Sequence, residues 1–174
     1  MNMVSATTLL GSAGEHYVMC QLLRRGFIAA LAPVGVPNCD IVVTDDIGER
    51  LCAIQVKTRV AKGSDGGWHM RSKHESIFSP SLFYAFVDFG KELDDHPTCF
   101  LVPSAVVADV VRRSHQAWLS APGKKNQQRN DSDMRRFLPD YDRMGISIGC
   151  STGWLDQYKE NWSRLIAASE SAKL

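Results

Sequence analysis

The sequence predicts a mixed α/β domain with a helical C-terminal extension, on three observations. Residues 8–25 carry a helical apolar period and stop at Gly26, which suits the left-handed position past a helix end. Two alternating apolar runs, 40–44 and 50–59, flank the turn-forming stretch Asp45-Asp46-Ile47-Gly48 and read as a β-hairpin. Runs 82–89 and 98–102, rich in aromatic and β-branched residues, precede a segment opened by Pro103-Ser104 that reads as a second helix to Leu119. A chain of 174 residues with 44% hydrophobic content can bury one sizeable core. The expected division is a core over 1–119 and an extension over 120–174 packing on the same domain.

Taken in order, the first helix places Gly11, Glu15, Val18 and Leu22 along one face by their i, i+4, i+7, i+11 spacing. That stripe should pack on a sheet, so Glu15 must be paired, hydrogen-bonded or metal-bound there. Gly11 leaves room for close backbone approach. An ordinary ion pair with Lys or Arg at the edge of the stripe is the competing reading of Glu15. Residues 27–31 read as a strand, followed by a Pro/Gly-rich link and the hairpin. With an even-length loop Asp40 lies opposite Ala53 and diagonal to Gln55. Asp40, Gln55 and Lys57 then share one face, and Ile41, Val43, Ile54 and Val56 share the other.

Residues 60–80 form a long Gly/Ser-rich stretch expected to be loop. Its Trp68, His69, Arg71, Lys73 and His74 could reach into a groove or stack on an unpaired base, or simply decorate a solvated loop. Residues 120–136 are polar and also expected to be loop. Residues 154–168 are expected to close the chain as an amphipathic helix, with Leu155, Tyr158, Trp162, Leu165 and Ile166 on one stripe.

Composition narrows the function. No basic start with a long apolar run marks a signal peptide, and the apolar stretch 27–36 is broken by Pro33, so a soluble, cytoplasmic protein is expected. Five cysteines, at 20, 39, 52, 99 and 150, include no CxxC pair and fit reduced thiols better than disulfides or zinc. No GxSxG, HExxH, Walker or Rossmann pattern supports acyl transfer, zinc proteolysis or nucleotide hydrolysis. His115 reads as a surface histidine.

The net charge is +1, but residues 111–145 hold 8 Lys/Arg against 4 Asp/Glu. Arg112, Arg113, Lys124, Lys125, Arg129, Arg135, Arg136 and Arg143 could form a phosphate-tracking surface, or a solvated face. Arg59, Lys62, Arg71 and Lys73 are the alternative phosphate-binding set.

The converging polar residues have a chemical logic. Two carboxylates and an amide carbonyl, from Glu15, Asp40 and Gln55, are hard oxygen ligands for Mg²⁺, with Mn²⁺ able to substitute. Lys57 on the same face would place a positive charge near an attacking water and the phosphate it attacks.

The sequence resembles the PD-(D/E)XK nucleases. The resemblance rests on Glu15 in Gly11-Ser12-Ala13-Gly14-Glu15, on Asp40 opening the second strand, and on Gln55-Val56-Lys57 on the third. It covers residues 8–110, and its order and spacing are similar to the Holliday-junction resolvase and Mrr-like branches, where a Gln-x-Lys motif also occurs. The resemblance implies a restriction-endonuclease-like core of helix, mixed sheet with a meander, and helix. It implies Mg²⁺-dependent cleavage of DNA, with Glu15, Asp40 and Gln55 on the metal and Lys57 serving the reaction, and a homodimer that cuts two strands. Asn38-Cys39 stand before Asp40 in place of the family's proline, and Gln55 stands where glutamate is commoner. A neutral ligand weakens metal binding, which keeps open a catalytically inactive module binding DNA or a protein partner.

Overall fold

The computed structural model describes residues 4–44, 47–48, 50–62, 66–123 and 126–165. Helix α1 (Ala6–Arg24) opens the chain. Ser5 caps it, its hydroxyl accepting from the Thr8 amide at 3.1 Å. Gly26 turns the chain away at φ 82°, a conformation that costs a residue with a side chain about 1–2 kcal/mol. The strands, in chain order, are β1 (Ile28–Leu31), β2 (Ile41–Thr44), β3 (Arg50–Arg59), β4 (Trp68–Arg71), β5 (Leu82–Asp88), β6 (Thr98–Pro103) and β7 (Met134–Phe137). Helix α2 (Ser104–Ser120) lies between β6 and β7.

A mixed five-stranded sheet runs β1-β2-β3-β5-β6, with β3 and β5 parallel and the other neighbours antiparallel. The strand alternation divides its side chains between two cores. Ile41, Val43, Ile54 and Val56 face α1 through Val18 and Leu22. On the other face Ala53, Leu82, Tyr84 and Phe86 pack with Val107, Val110 and Val111 of α2. Each large side chain so buried contributes about 1.5–3 kcal/mol before entropy is counted. Among the described residues no helix is long and apolar enough to cross a membrane.

Several expectations are corrected. The hairpin pairs Ile41 with Ile54 and Val42 with Ala53, two residues from the expected register, with an irregularity between Val43 and Thr44. A shift of two keeps every side chain on its expected face and brings Asp40 level with Gln55. In α1 the buried stripe is Gly14, Val18 and Leu22, so Gly14 and not Gly11 makes the close approach: a Cβ there would overlap the Thr58 side chain, while one at Gly11 would meet nothing.

Neither presumed loop is wholly loop, because β4 and β7 pair antiparallel and bury Trp68, Met70 and Phe137. A 3-10 turn, Ser72–Glu75, continues from β4. The closing helix is not formed over 154–163, and only Arg164 and Leu165 are helical among the described residues. Leu155, Tyr158, Trp162 and Leu165 are all buried, but the first three lie on turns and a short 3-10 segment, Asp156–Tyr158. The cause is the edge of β6: Glu160 N donates to Cys99 O at 2.8 Å, Cys99 N donates to Glu160 Oε1 at 2.7 Å, and Glu160 takes φ 49° to do so. Ile166 lies outside the described residues.

Candidate active site

Asp40 stands just before β2, where its backbone joins two neighbours: Asp40 N donates to Ile54 O at 2.9 Å, and Asp40 O accepts from Ala32 N at 2.8 Å. Its carboxylate is fixed from β3. Oδ2 accepts from Gln55 Nε2 and from Val56 N, each at 2.7 Å. Gln55 is buried, so the amide's orientation is set by this bond and not by solvent.

Glu15 comes to the site from α1. It is half-buried, and its carboxyl pKa is raised, first by burial and then by the negative charge of Asp40, with His16 opposing. The charges acting on it are those two, so the expected ion pair with Lys or Arg is absent among the described residues. Lys57 projects from β3 on the Gln55 face. Burial pulls its ammonium pKa down, Asp40 pushes it up, and Lys73 and Arg71 lower it further. Asp40 therefore couples to the other three, to Gln55 by a hydrogen bond and to Glu15 and Lys57 through charge: two carboxylates close enough to repel, and a lysine within the field of Asp40.

A cleft of about 580 Å³ opens beside Lys57, walled by His69, Arg71, Lys73, His74 and Asp133. Asn38 accepts a 3.0 Å hydrogen bond from Lys73 Nζ, tying the link before Asp40 to the 3-10 turn. Sequence reasoning missed Asp133, which reaches the cleft only because β7 pairs with β4. It holds Ser72 through that residue's amide at 3.2 Å and hydroxyl at 2.5 Å, and it faces Arg71 at 3.8 Å.

The expected phosphate-binding residues divide. Arg71 and Lys73 are exposed in the cleft and Lys62 is exposed outside it. Arg59 is committed elsewhere, paired with Asp88 and lying 4.6 Å over the Trp68 ring. Arg112 and Arg113 both pair with Asp109, each at 2.9 Å. Lys124 and Lys125 lie outside the described residues. The basic segment does not make one surface: Arg135 is buried against Glu75, and Arg129 lies 4.7 Å over Trp118. Trp68 offers no stacking face, being 2% exposed with its Nε1 donating to Val87 O at 3.0 Å. His115 pairs with Asp131 at 2.7 Å.

Among the described residues no three His, Cys, Asp or Glu side chains gather as a metal cage. The donors available are the carboxylates of Glu15 and Asp40 and the Gln55 amide oxygen. That set fits Mg²⁺, which takes few protein oxygens and keeps several waters. The mutual repulsion recorded in the raised Glu15 pKa is the kind that a divalent cation relieves.

No family model matches the sequence, and no curated protein matches it. Among solved structures the chain is similar to a bacterial homing endonuclease, I-Ssp6803I, with a TM-score of 0.54 and 13% sequence identity over 98% of each chain. At that identity the likeness is one of fold: this chain has a mixed α/β architecture, a five-stranded sheet flanked by helices, of the kind a nuclease core uses.

Proposed function

We propose that the protein is a metal-dependent DNA endonuclease, with Glu15, Asp40 and Gln55 as metal ligands and Lys57 serving the hydrolysis. The observation that carries this reading is the meeting of Asp40, Gln55 and Lys57 on one face of the hairpin, beside a cleft walled by Arg71 and Lys73. The fold likeness to a homing endonuclease supports it. Mg²⁺ bound at these oxygens would supply Lewis-acid polarisation of the phosphate and a more acidic water. Gln55 Nε2 and Val56 N hold one oxygen of Asp40, which aims the rest of the carboxylate. Lys57 brings a positive charge to a partly desolvated position, where it can hold the attacking water or offset charge on the phosphate oxygens. Arg71 and Lys73 bind flanking phosphates.

One observation favours a second reading. Gln55 satisfies Asp40 without any cation, as a module that binds DNA but does not cut it would require. Incubating linear, branched, single-stranded and modified DNA with Mg²⁺ or Mn²⁺, beside Lys57→Ala, separates the two. Metal-dependent cutting that the variant loses supports the nuclease; binding without cutting under every condition supports the silent module.

A further inference from the structure

His74 and Tyr84 form a buried hydrogen bond at the base of the cleft that the proposed reaction leaves unused. His74, in the 3-10 turn after β4, is 2% exposed, and Tyr84 on β5 is fully buried. His74 Nδ1 lies 2.8 Å from the Tyr84 hydroxyl, and the rings meet edge to face at 80°. Tyr84 pairs with Gln55 across the parallel strands and occupies the same face of the sheet. The bond thus underlies the site beside a core that includes Phe86, Phe137 and Trp68. A polar pair in that setting calls for an explanation.

The direction of the bond determines what the imidazole shows the cleft. Among the described residues His74 is the only hydrogen-bond partner of the Tyr84 hydroxyl. A buried O–H without an acceptor costs about 1–3 kcal/mol, so Tyr84 donates to Nδ1. Burial first, then Lys57 and Lys73, hold the His74 pKa down to about 4, so near neutral pH the ring carries one proton. With Nδ1 accepting, that proton sits on Nε2. His74 lines the cleft beside Lys57 and Lys73, so the ring adds a neutral N–H donor to a wall that already carries ammonium donors. Donors side by side cannot satisfy one another; they fit an anionic oxygen between them.

We propose that His74, locked by Tyr84 as its Nε2–H tautomer, is a phosphate-contacting residue whose N–H and the Lys57 ammonium donate to oxygens of one DNA phosphodiester. This rests on the reading of the cleft as a phosphodiester site. A neutral donor adds affinity without releasing a counterion, which distinguishes it from the cations around it.

Two measurements test it. Long-range proton–nitrogen spectra of the unmodified protein read the tautomer directly: Nε2–H is expected, and Nδ1–H overturns the proposal. Anisotropy titrations with a short fluorescein-labelled DNA duplex, over a range of salt, read the contact. His74→Ala should weaken binding about tenfold, as loss of one hydrogen bond to a charged group predicts, with its salt dependence unchanged. His74→Gln, which carries an N–H to a similar reach, should restore most of that loss, and Tyr84→Phe should fall between. Unchanged affinity in His74→Ala, or a flattened salt slope, overturns the His74 contact and leaves the cleft's role standing. Failure of the unmodified protein to bind the duplex overturns the phosphodiester reading and the contact with it.

Discussion

Gln55 Nε2 donates to Asp40 Oδ2 across 2.7 Å, and the same oxygen takes the Val56 amide at 2.7 Å. One strand therefore orients the carboxylate that opens its neighbour.

Replacing that amide by an acid tests what the position is for. In Gln55→Glu the donor is lost and two carboxylates face each other, so one carboxyl pKa rises. A carboxyl whose folded pKa is raised costs stability above that pKa. The variant's thermal midpoint should fall near neutral pH in chelator and recover as the pH drops. Added Mg²⁺ should restore it, and titration should give tighter Mg²⁺ binding than in the parent. A variant that is less stable and gains nothing from Mg²⁺ contradicts the metal site.

Glu15 carries the same tension in the native chain. Its folded pKa lies above the ordinary 4.5, through burial first and Asp40 second. Its protonated form is therefore favoured by folding, and stability is lost as the pH rises from the ordinary value through the raised one. Glu15→Gln should stabilise the metal-free protein near neutral pH and flatten that pH dependence. Thermal midpoints measured across the acidic range, with and without Mg²⁺, check both effects, and Mg²⁺ should raise the parent's midpoint more than the variant's.

Lys57 is held in a site that disfavours its charge, burial being the main cause of its lowered pKa. For a base lowered in the folded state, the cost is present near neutral pH and fades as the pH approaches the ordinary 10.5. Lys57→Met should raise the thermal midpoint at neutral pH while reducing cleavage by about 100-fold or more.

The hairpin was legible because its alternation is strict: Ile41, Val43, Ile54 and Val56 face one core, and Gln55 and Lys57 project the other way. Exact pairing was not, because a two-residue shift leaves the pattern of faces unchanged and only the irregularity at Val43/Thr44 distinguishes the registers. Strand β7 was hidden by Arg135 and Arg136. Arg135 is buried with its guanidinium donating to the Ser132 and Met134 carbonyls and to Glu75, and Glu75 is a partner from a distant segment that no local pattern announces. The apolar spacing of Leu155, Tyr158, Trp162 and Leu165 reported burial correctly, but helix only at the last of them, since Glu160 gives up helical backbone to serve the β6 edge. The four polar site residues were legible as residue types on expected elements, whereas the cleft beside them depends on the β4/β7 pair.

Gly14 offers a purely steric test. A methyl group there would overlap Thr58, so Gly14→Ala should cost about 1–3 kcal/mol, lowering the midpoint by roughly 2–4 °C per kcal/mol. Adding Thr58→Ala should recover part of the loss, and the loss should be absent in Gly11→Ala, where a methyl meets nothing.

The cations should separate by their partners. Lys73→Ala should lower the salt slope of DNA binding by about 0.9, one phosphate's worth. Arg59→Ala should chiefly destabilise the fold, because Asp88 and Trp68 hold that guanidinium.

Calorimetric titration of Mg²⁺ into the protein, beside Asp40→Asn, tests the central claim most directly. The proposed site predicts one saturable site on the parent, weakened or lost when Asp40 keeps its shape but not its charge. No saturable binding at millimolar Mg²⁺, or equal binding by both proteins, would contradict it.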